Sequence, residues 1–422
     1  MRSSETAPSA AQSQSEASLP DISNQLQWTA EEKLVAHRKM HLLFPSDTIA
    51  ASAFTRQLPE GESLDVRYRH GGEDMDIGRY FETTNATGLI AVRDGEIVLE
   101  RYAEGNSSDT RWASRSMAKS VTSTLIGIAI AEGFIPGVDT PVTRYLPELA
   151  GGLFDGLTIR HLLQMVSGLP YTEDPLDPSS DVFQLQACTT HGEKGAFLSF
   201  LKRLGDRAPQ SAAAPGSVFN YSSADSVVLG LVLERATGVR PASYLQKRIW
   251  GPLGMERDAF WNLEAEGGST FAASGLSATL RDYARFGLFI LGGGALPDGE
   301  ATLPDWWMEE AVRASAASLK ARTPYGFQWW LHHKNGVPSV AAGAVDPTLP
   351  DSAPLRMPGG DTLFYALGSS GQTIAINPAM NAVIVKWAVW EKPSGRNDGR
   401  HKDAALFAAI FDAMEPGGGA RP

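Results

Sequence analysis

A serine and a lysine one helical turn apart, in Ser116-Met117-Ala118-Lys119, are the residues of this chain whose types and spacing fit chemistry best. Side chains at i and i+3 share one face of a helix and can touch. A serine hydroxyl is a weak nucleophile until a base removes its proton, and a lysine that has lost its own proton is such a base. Residues 117–132 (MAKSVTSTLIGIAIAE) read as a buried helix, which puts Ser116 at its N-terminus. There the exposed N–H groups and the helix dipole favour the negative charge that develops in acyl transfer. Spacing alone leaves a nucleophile and a helix cap both open for Ser116.

The chain carries its own control for this motif. Ser199-Phe200-Leu201-Lys202 has the same spacing, inside the amphipathic stretch 195–204 (GAFLSFLKRL). Phe197, Leu198, Leu201 and Leu204 make the apolar stripe there, and Lys202-Arg203 reads as an ordinary solvated end. One match of the two is decoration, so the case for Ser116 rests on partners elsewhere in the chain.

Those partners are Tyr221 and a glycine-rich stretch near the C-terminus. Residues 215–223 (PGSVFNYSS) form a turn that leads into a helix over 224–238, with Ser222 or Ser223 as its N-cap. Tyr221 falls on the loop ahead of that helix, where a phenol can point into a cleft. Residues 364–376 (FYALGSSGQTIAI) read as a strand interrupted at Gly368-Ser369-Ser370-Gly371-Gln372, as at a bulge or a close approach of backbone to ligand. A second strand over 382–389 and a terminal helix around 403–414 follow.

The order SxxK, YxS, then a glycine-rich strand motif resembles the serine hydrolases of the β-lactamase and penicillin-binding-protein fold. It is similar in particular to the class C branch, which includes carboxylesterases and 6-aminohexanoate-dimer hydrolases. The stretches 111–120, 158–169, 275–287 and 325–331 fit the same branch, so the resemblance covers about residues 75–415. It implies Ser116 as nucleophile, Lys119 as its base, and Tyr221 as the relay between the serine oxygen and the leaving group. It also implies an oxyanion hole from the backbone amides of Ser116 and Gln372. Two departures stand out. The family's YxN is Tyr221-Ser222-Ser223 here, and its KTG or HTG is Ser369-Ser370-Gly371, without the cation that meets a substrate carboxylate. Ser223, Ser369, Ser370 and Gly371 are then substrate-binding positions. An ester or a small neutral or linear amide is favoured over a β-lactam or a D-Ala-D-Ala peptide; a catalytically dead binding protein on the same fold is the alternative of another class.

In water both Lys119 and Tyr221 are protonated at neutral pH. Burial favours neutral lysine and a cationic neighbour favours tyrosinate, so the two are expected to share protons as a coupled pair. Which of them is the base stays open in the sequence. Tyr171 stands just after the Ser167-Gly168 turn and fits either a substrate hydrogen-bond donor or a plain loop tyrosine. Trp329-Trp330 fit core aromatics or the wall of an apolar pocket. His161, within an apolar helix, reads as structural. No metal-ligand spacing, nucleophile elbow or Walker loop appears, so neither metal nor cofactor is expected.

A chain of 422 residues can bury a large core. Its net charge of −11, without a basic cluster, argues against nucleic acid and anionic membrane surfaces, and no apolar run is long enough to span a bilayer. A small-molecule substrate is the partner expected, and a homodimer is compatible with the chain. The single cysteine, Cys188, rules out an internal disulfide and fits the cytoplasm. Residues 1–25 read as a disordered tail and 26–74 as a segment that wraps the body. Residues 75–135 and 275–417 form one discontinuous α/β domain with an antiparallel sheet flanked by helices, and 136–274 a mostly helical one. The Gly/Pro-dense stretch 336–360 is a long loop that could cover the cleft between them.

Overall fold

The computed structural model describes residues 18–332, 356–392 and 399–415. Its centre is a six-stranded antiparallel sheet built from β1 (Ala86–Arg93), β2 (Glu96–Tyr102), β3 (Trp330–Leu331), β4 (Phe364–Gly368), β5 (Gln372–Asn377) and β6 (Ala382–Ala388). The strands lie in the order β2-β1-β6-β5-β4-β3, so the N-terminal hairpin and the C-terminal strands complete one sheet. Both faces of this sheet are covered, which is why β1 and β6 read as nearly unbroken apolar runs rather than as alternation.

Five helices set the site in place: α1 (Ala30–Leu43), α2 (Met117–Ala131), α3 (Ser223–Thr237), α4 (Leu280–Leu291) and α5 (Arg400–Met414). One sheet face, with Ile90, Val92, Ile374, Val383 and Val385, shares a core with α2 and α4. The opposite face, with Leu89, Ala91, Ala375 and Ile384, meets Leu406, Phe407 and Ile410 of α5. Helix α2 packs between α3 and β4, so a loop leading into α3 and the end of a strand both converge on the N-terminus of α2. A second sheet holds Ser46–Ile49, Ala259–Asn262, Leu276–Ala278 and Trp112–Ala113, in that spatial order, and the last of these strands delivers the chain to Ser116.

Two sequence expectations change here. The interruption at 368–372 is a reversal of the chain and not a bulge: β4 and β5 pair antiparallel, with Gly368 opposite Gln372. A Cβ on Gly368 would lie 2.4 Å from the Ser114 carbonyl oxygen, so only glycine lets β4 end against the chain that leads to Ser116. Residues 18–25, which composition grouped with a disordered tail, include a 3-10 turn at Ile22–Asn24 capped by Asp21, and Gln25 is buried. Within the loop expected over 336–360, residues 336–355 lie outside the described residues. Among the described residues no helix is long and apolar enough to cross a membrane.

Candidate active site

Ser116 is the N-cap of α2 and the only half-buried residue in the run Trp112–Ser120. The residue before it, Arg115, has φ of +48°, a left-handed conformation that costs a non-glycine residue energy and recurs at functional sites. Lys119, one turn on, is 1 % exposed and is held by three acceptors. Its Nζ donates to Ser116 Oγ at 2.9 Å, to Ser223 Oγ at 3.0 Å and to the Ala273 carbonyl at 2.9 Å. Burial pulls its pKa down to about 8, against the opposing effect of the Glu173 carboxylate.

Ser223 gives this lysine its direction. Its hydroxyl donates to Glu173 Oε1 at 2.7 Å, and its backbone N–H donates to Glu173 Oε2 at 2.8 Å. A carboxylate only accepts, so the Ser223 proton is committed to Glu173 and its oxygen is left to accept from Lys119. The Ala273 carbonyl is likewise an acceptor only. When Lys119 loses a proton, its two remaining N–H bonds have these two acceptors to satisfy, and its lone pair is left facing the Ser116 hydroxyl.

Tyr221 sits immediately ahead of Ser222, which caps α3 by accepting from the Asp225 N–H. Its ring stacks on Trp330 with centroids 5.0 Å apart, and Lys119 Nζ lies 5.2 Å from its centroid. Burial and then Glu173 push the Tyr221 pKa up, with a hydrogen bond to Ser116 acting the other way. The coupled pair expected from sequence is therefore polarised: the lysine is driven toward its neutral form and the tyrosine is kept protonated.

A cavity of about 360 Å³ opens on Ser116, Tyr221 and Ser223. From the turn after β4 it is lined by Gly368, Ser369 and Ser370, whereas Gly371 and Gln372 are outside its lining. Gln372 is completely buried, and its side chain is occupied by Trp112 Nε1 and by the carbonyls of Ser369, Ser370 and Ala388. The chain reversal explains this, because Gln372 already begins the strand leading away. Tyr171 is buried with its ring edge against Phe200 and does not reach the lining. Of the tryptophan pair, Trp330 faces the cavity and Trp329 is core. His161 closes the turn at Thr158, whose N–H donates to its Nδ1. Ser199 and Lys202 are exposed on their helix, and neither lines the cavity.

Three cations reach the cavity where a lack of cation was expected: Lys33, Arg115 and Arg400. Arg356 and Lys386, the basic side chains nearer the motif in sequence, do not. Arg356 pairs with Asp412 and Glu415 at the surface, and Lys386 is buried against Asp403. Sequence reasoning missed Glu173 as well, because its partner Ser223 lies fifty positions away and no local period links them. For Arg115 a signal existed: a charged residue inside the otherwise uncharged run 112–118.

A family model described as Beta-lactamase matches residues 79–409. The 6-aminohexanoate-dimer hydrolase of Paenarthrobacter ureafaciens is 31 % identical over 340 residues, 76 % of this chain and 77 % of that protein. Esterase EstB of Burkholderia gladioli is 34 % identical over 226 residues, 49 % of this chain and 56 % of that protein. Among solved structures, a class C beta-lactamase superposes with a TM-score of 0.58 at 19 % identity, over 81 % of this chain and 94 % of that one, a likeness of fold.

Proposed function

The chain belongs to the beta-lactamase family of serine hydrolases, and on that premise we propose that it cleaves an ester or a small linear amide through an acyl-enzyme on Ser116. The observation that carries the reading is the hydrogen-bond arrangement around Lys119, whose three acceptors leave a neutral lysine aimed at one proton, that of Ser116. With a pKa of about 8, roughly a tenth of the lysine is neutral at pH 7, enough for a general base. Lys119 takes the Ser116 proton as the oxygen attacks the carbonyl carbon. Tyr221, kept protonated by burial, donates to the departing alcohol or amine and is reprotonated by Lys119, which becomes neutral again. Water then attacks the acyl-serine along the same proton path, and the acid leaves.

The tetrahedral oxyanion needs N–H donors that are in place before it forms. Ser116 supplies one, its own backbone N–H at the N-cap of α2. For the second, the reading takes the Ser369 N–H, since Ser369 lines the cavity and Gln372 is buried beyond it. The names of the relatives point the same way on substrate: a linear amide for one and an ester for the other. A panel of a p-nitrophenyl ester, a chromogenic cephalosporin and a linear aminohexanoate dimer tests the assignment on wild type, Ser116→Ala and Ser199→Ala. Turnover of the ester or the linear amide that Ser116→Ala lowers by several orders of magnitude, and Ser199→Ala leaves intact, is the expected result. Activity that survives Ser116→Ala removes the reading.

A further inference from the structure

We propose that the cavity holds a built site for an anionic group of the substrate, a carboxylate, formed by Arg115, Lys33 and Arg400. The inference rests on Ser116 being the reactive serine and names the substrate class of that same cavity. All three side chains line it, and each is more than nine-tenths buried, at 7 %, 2 % and 5 % exposure. Buried cations are ordinarily paired with carboxylates. Among the described residues, none of these three has a carboxylate within salt-bridge distance.

Their partners are neutral. Arg115 Nε donates to His37 Nε2 at 2.9 Å, and its guanidinium lies 5.4 Å from the Trp28 ring centroid. His37 is fully buried beside two cations and is held uncharged, so it accepts from Arg115 without contributing charge. Lys33 donates to the carbonyls of Trp390 at 2.9 Å and Glu391 at 2.7 Å. Arg400 lies over the Trp390 ring, 5.1 Å from its centroid. The acid nearest to it along α5, Asp403, is engaged by Lys386 at 2.6 Å and by Tyr80. Trp390 thus ties Lys33 and Arg400 together, and His37, one turn from Lys33 on α1, ties Arg115 to the same helix.

The carboxylates that act on these cations do so only from beyond ion-pair distance, Glu32 and Glu391 on Lys33 and Asp403 on Arg400, so packing the like charges together opposes folding and an arriving anion relieves that cost. The residue directly before the nucleophile is one of the three, so the anion would be held close to the scissile carbonyl. Glu173, Tyr221 and Ser223 line the same cavity, joined through Lys119 and Ser223 rather than through the three cations. A substrate with a carboxylate on one side of its ester or amide bond fits this polarity. The cations come from α1, from the residue before the N-cap of α2 and from α5, none of them from the 369–371 turn whose sequence lacks one.

Matched substrates test the site: p-nitrophenyl hydrogen glutarate against p-nitrophenyl methyl glutarate, which differ by one charge far from the leaving group. Wild type is expected to prefer the free acid by about tenfold or more in kcat/KM, mainly through KM. In Arg115→Gln and Arg400→Gln the ratio of acid to methyl ester should fall toward one, with Arg115→Lys retaining part of it. Circular dichroism and thermal melting establish that each variant is folded. Wild type that handles the methyl ester as well as the acid overturns the anion site and leaves the serine mechanism standing. If neither ester is turned over, glutarate binding by calorimetry decides the anion site, separately from the Ser116 panel. Binding to wild type that Arg115→Gln weakens tenfold supports it, and no binding removes it.

Discussion

Replacing Glu173 by glutamine keeps its shape and removes one negative charge from beside the proposed base. Glu173 is joined to Lys119 through Ser223 by hydrogen bonds of 2.7 and 3.0 Å, so the carboxylate and the ammonium are less than about 6 Å apart. At an effective dielectric of 20 the full distance of about 6 Å is worth about 3 kcal/mol, roughly two pH units on the lysine pKa before any relaxation. Rearrangement around the new amide will take part of this away, and we expect a shift of about one unit. The sign follows from charge: the carboxylate stabilises the ammonium, so its loss lowers the Lys119 pKa below about 8. The assay is kcat/KM for a p-nitrophenyl ester between pH 5.5 and 9.5. Wild type should rise to a plateau with a midpoint near 8, because activity follows the neutral lysine. In Glu173→Gln the midpoint should move down to about 7, and the plateau should drop because a weaker base drives proton transfer less well. Relative to its own plateau, the variant then gains about eightfold at pH 6.5. A midpoint that stays in place or moves up would refute Lys119 as the titrating group, whatever happens to the plateau.

Arginine at position 119 keeps the charge but does not give up a proton in a protein, so Lys119→Arg should be as inactive as Lys119→Ala in the same ester assay; substantial activity in the arginine variant would reduce the lysine to a source of positive charge. Asp225, buried at the start of α3 and bonded by Ser167 Oγ at 2.9 Å, has its pKa pushed up to about 8 by burial. Its folded-state pKa exceeds the unfolded one, so the folded protein holds the extra proton and loses stability as pH rises from about 4 toward 8. Asp225→Asn should remove that slope and raise the melting temperature relative to wild type at pH 8 more than at pH 5, and parallel melting curves would count against it.

The β-lactamase-like fold was legible because its signals are local. The run 117–131 announces a buried helix, the pairs of apolar runs announce hairpins, and Ser222 caps α3 where the turn before it ends. The Ser116–Lys119 contact was legible for the same reason, since helical spacing alone brings the two side chains to 2.9 Å. What failed to show was long-range or depended on direction. Glycines in an apolar run do not tell a bulge from a hairpin, and that choice decides whether Ser369 or Gln372 meets the cavity. Glu173 acquires its role only when the loop after Met165 is folded against the start of α3. Lys33 and Arg400 come from opposite ends of the chain, and nothing in the composition near either marks it as a cavity residue. The motif carries no cation at Ser369, but charge in a cavity is a sum over everything that reaches it.

The most direct measurement of the central claim is the mass of the protein during turnover of a slow ester, quenched in acid and followed by peptide mapping. The account requires a covalent adduct equal to the acyl group, carried on the hydroxyl of Ser116, absent from Ser116→Ala and accumulating in a variant impaired in deacylation. An intact mass that never changes under conditions of turnover, or an adduct mapped to Ser199, Tyr221 or Cys188, would contradict it.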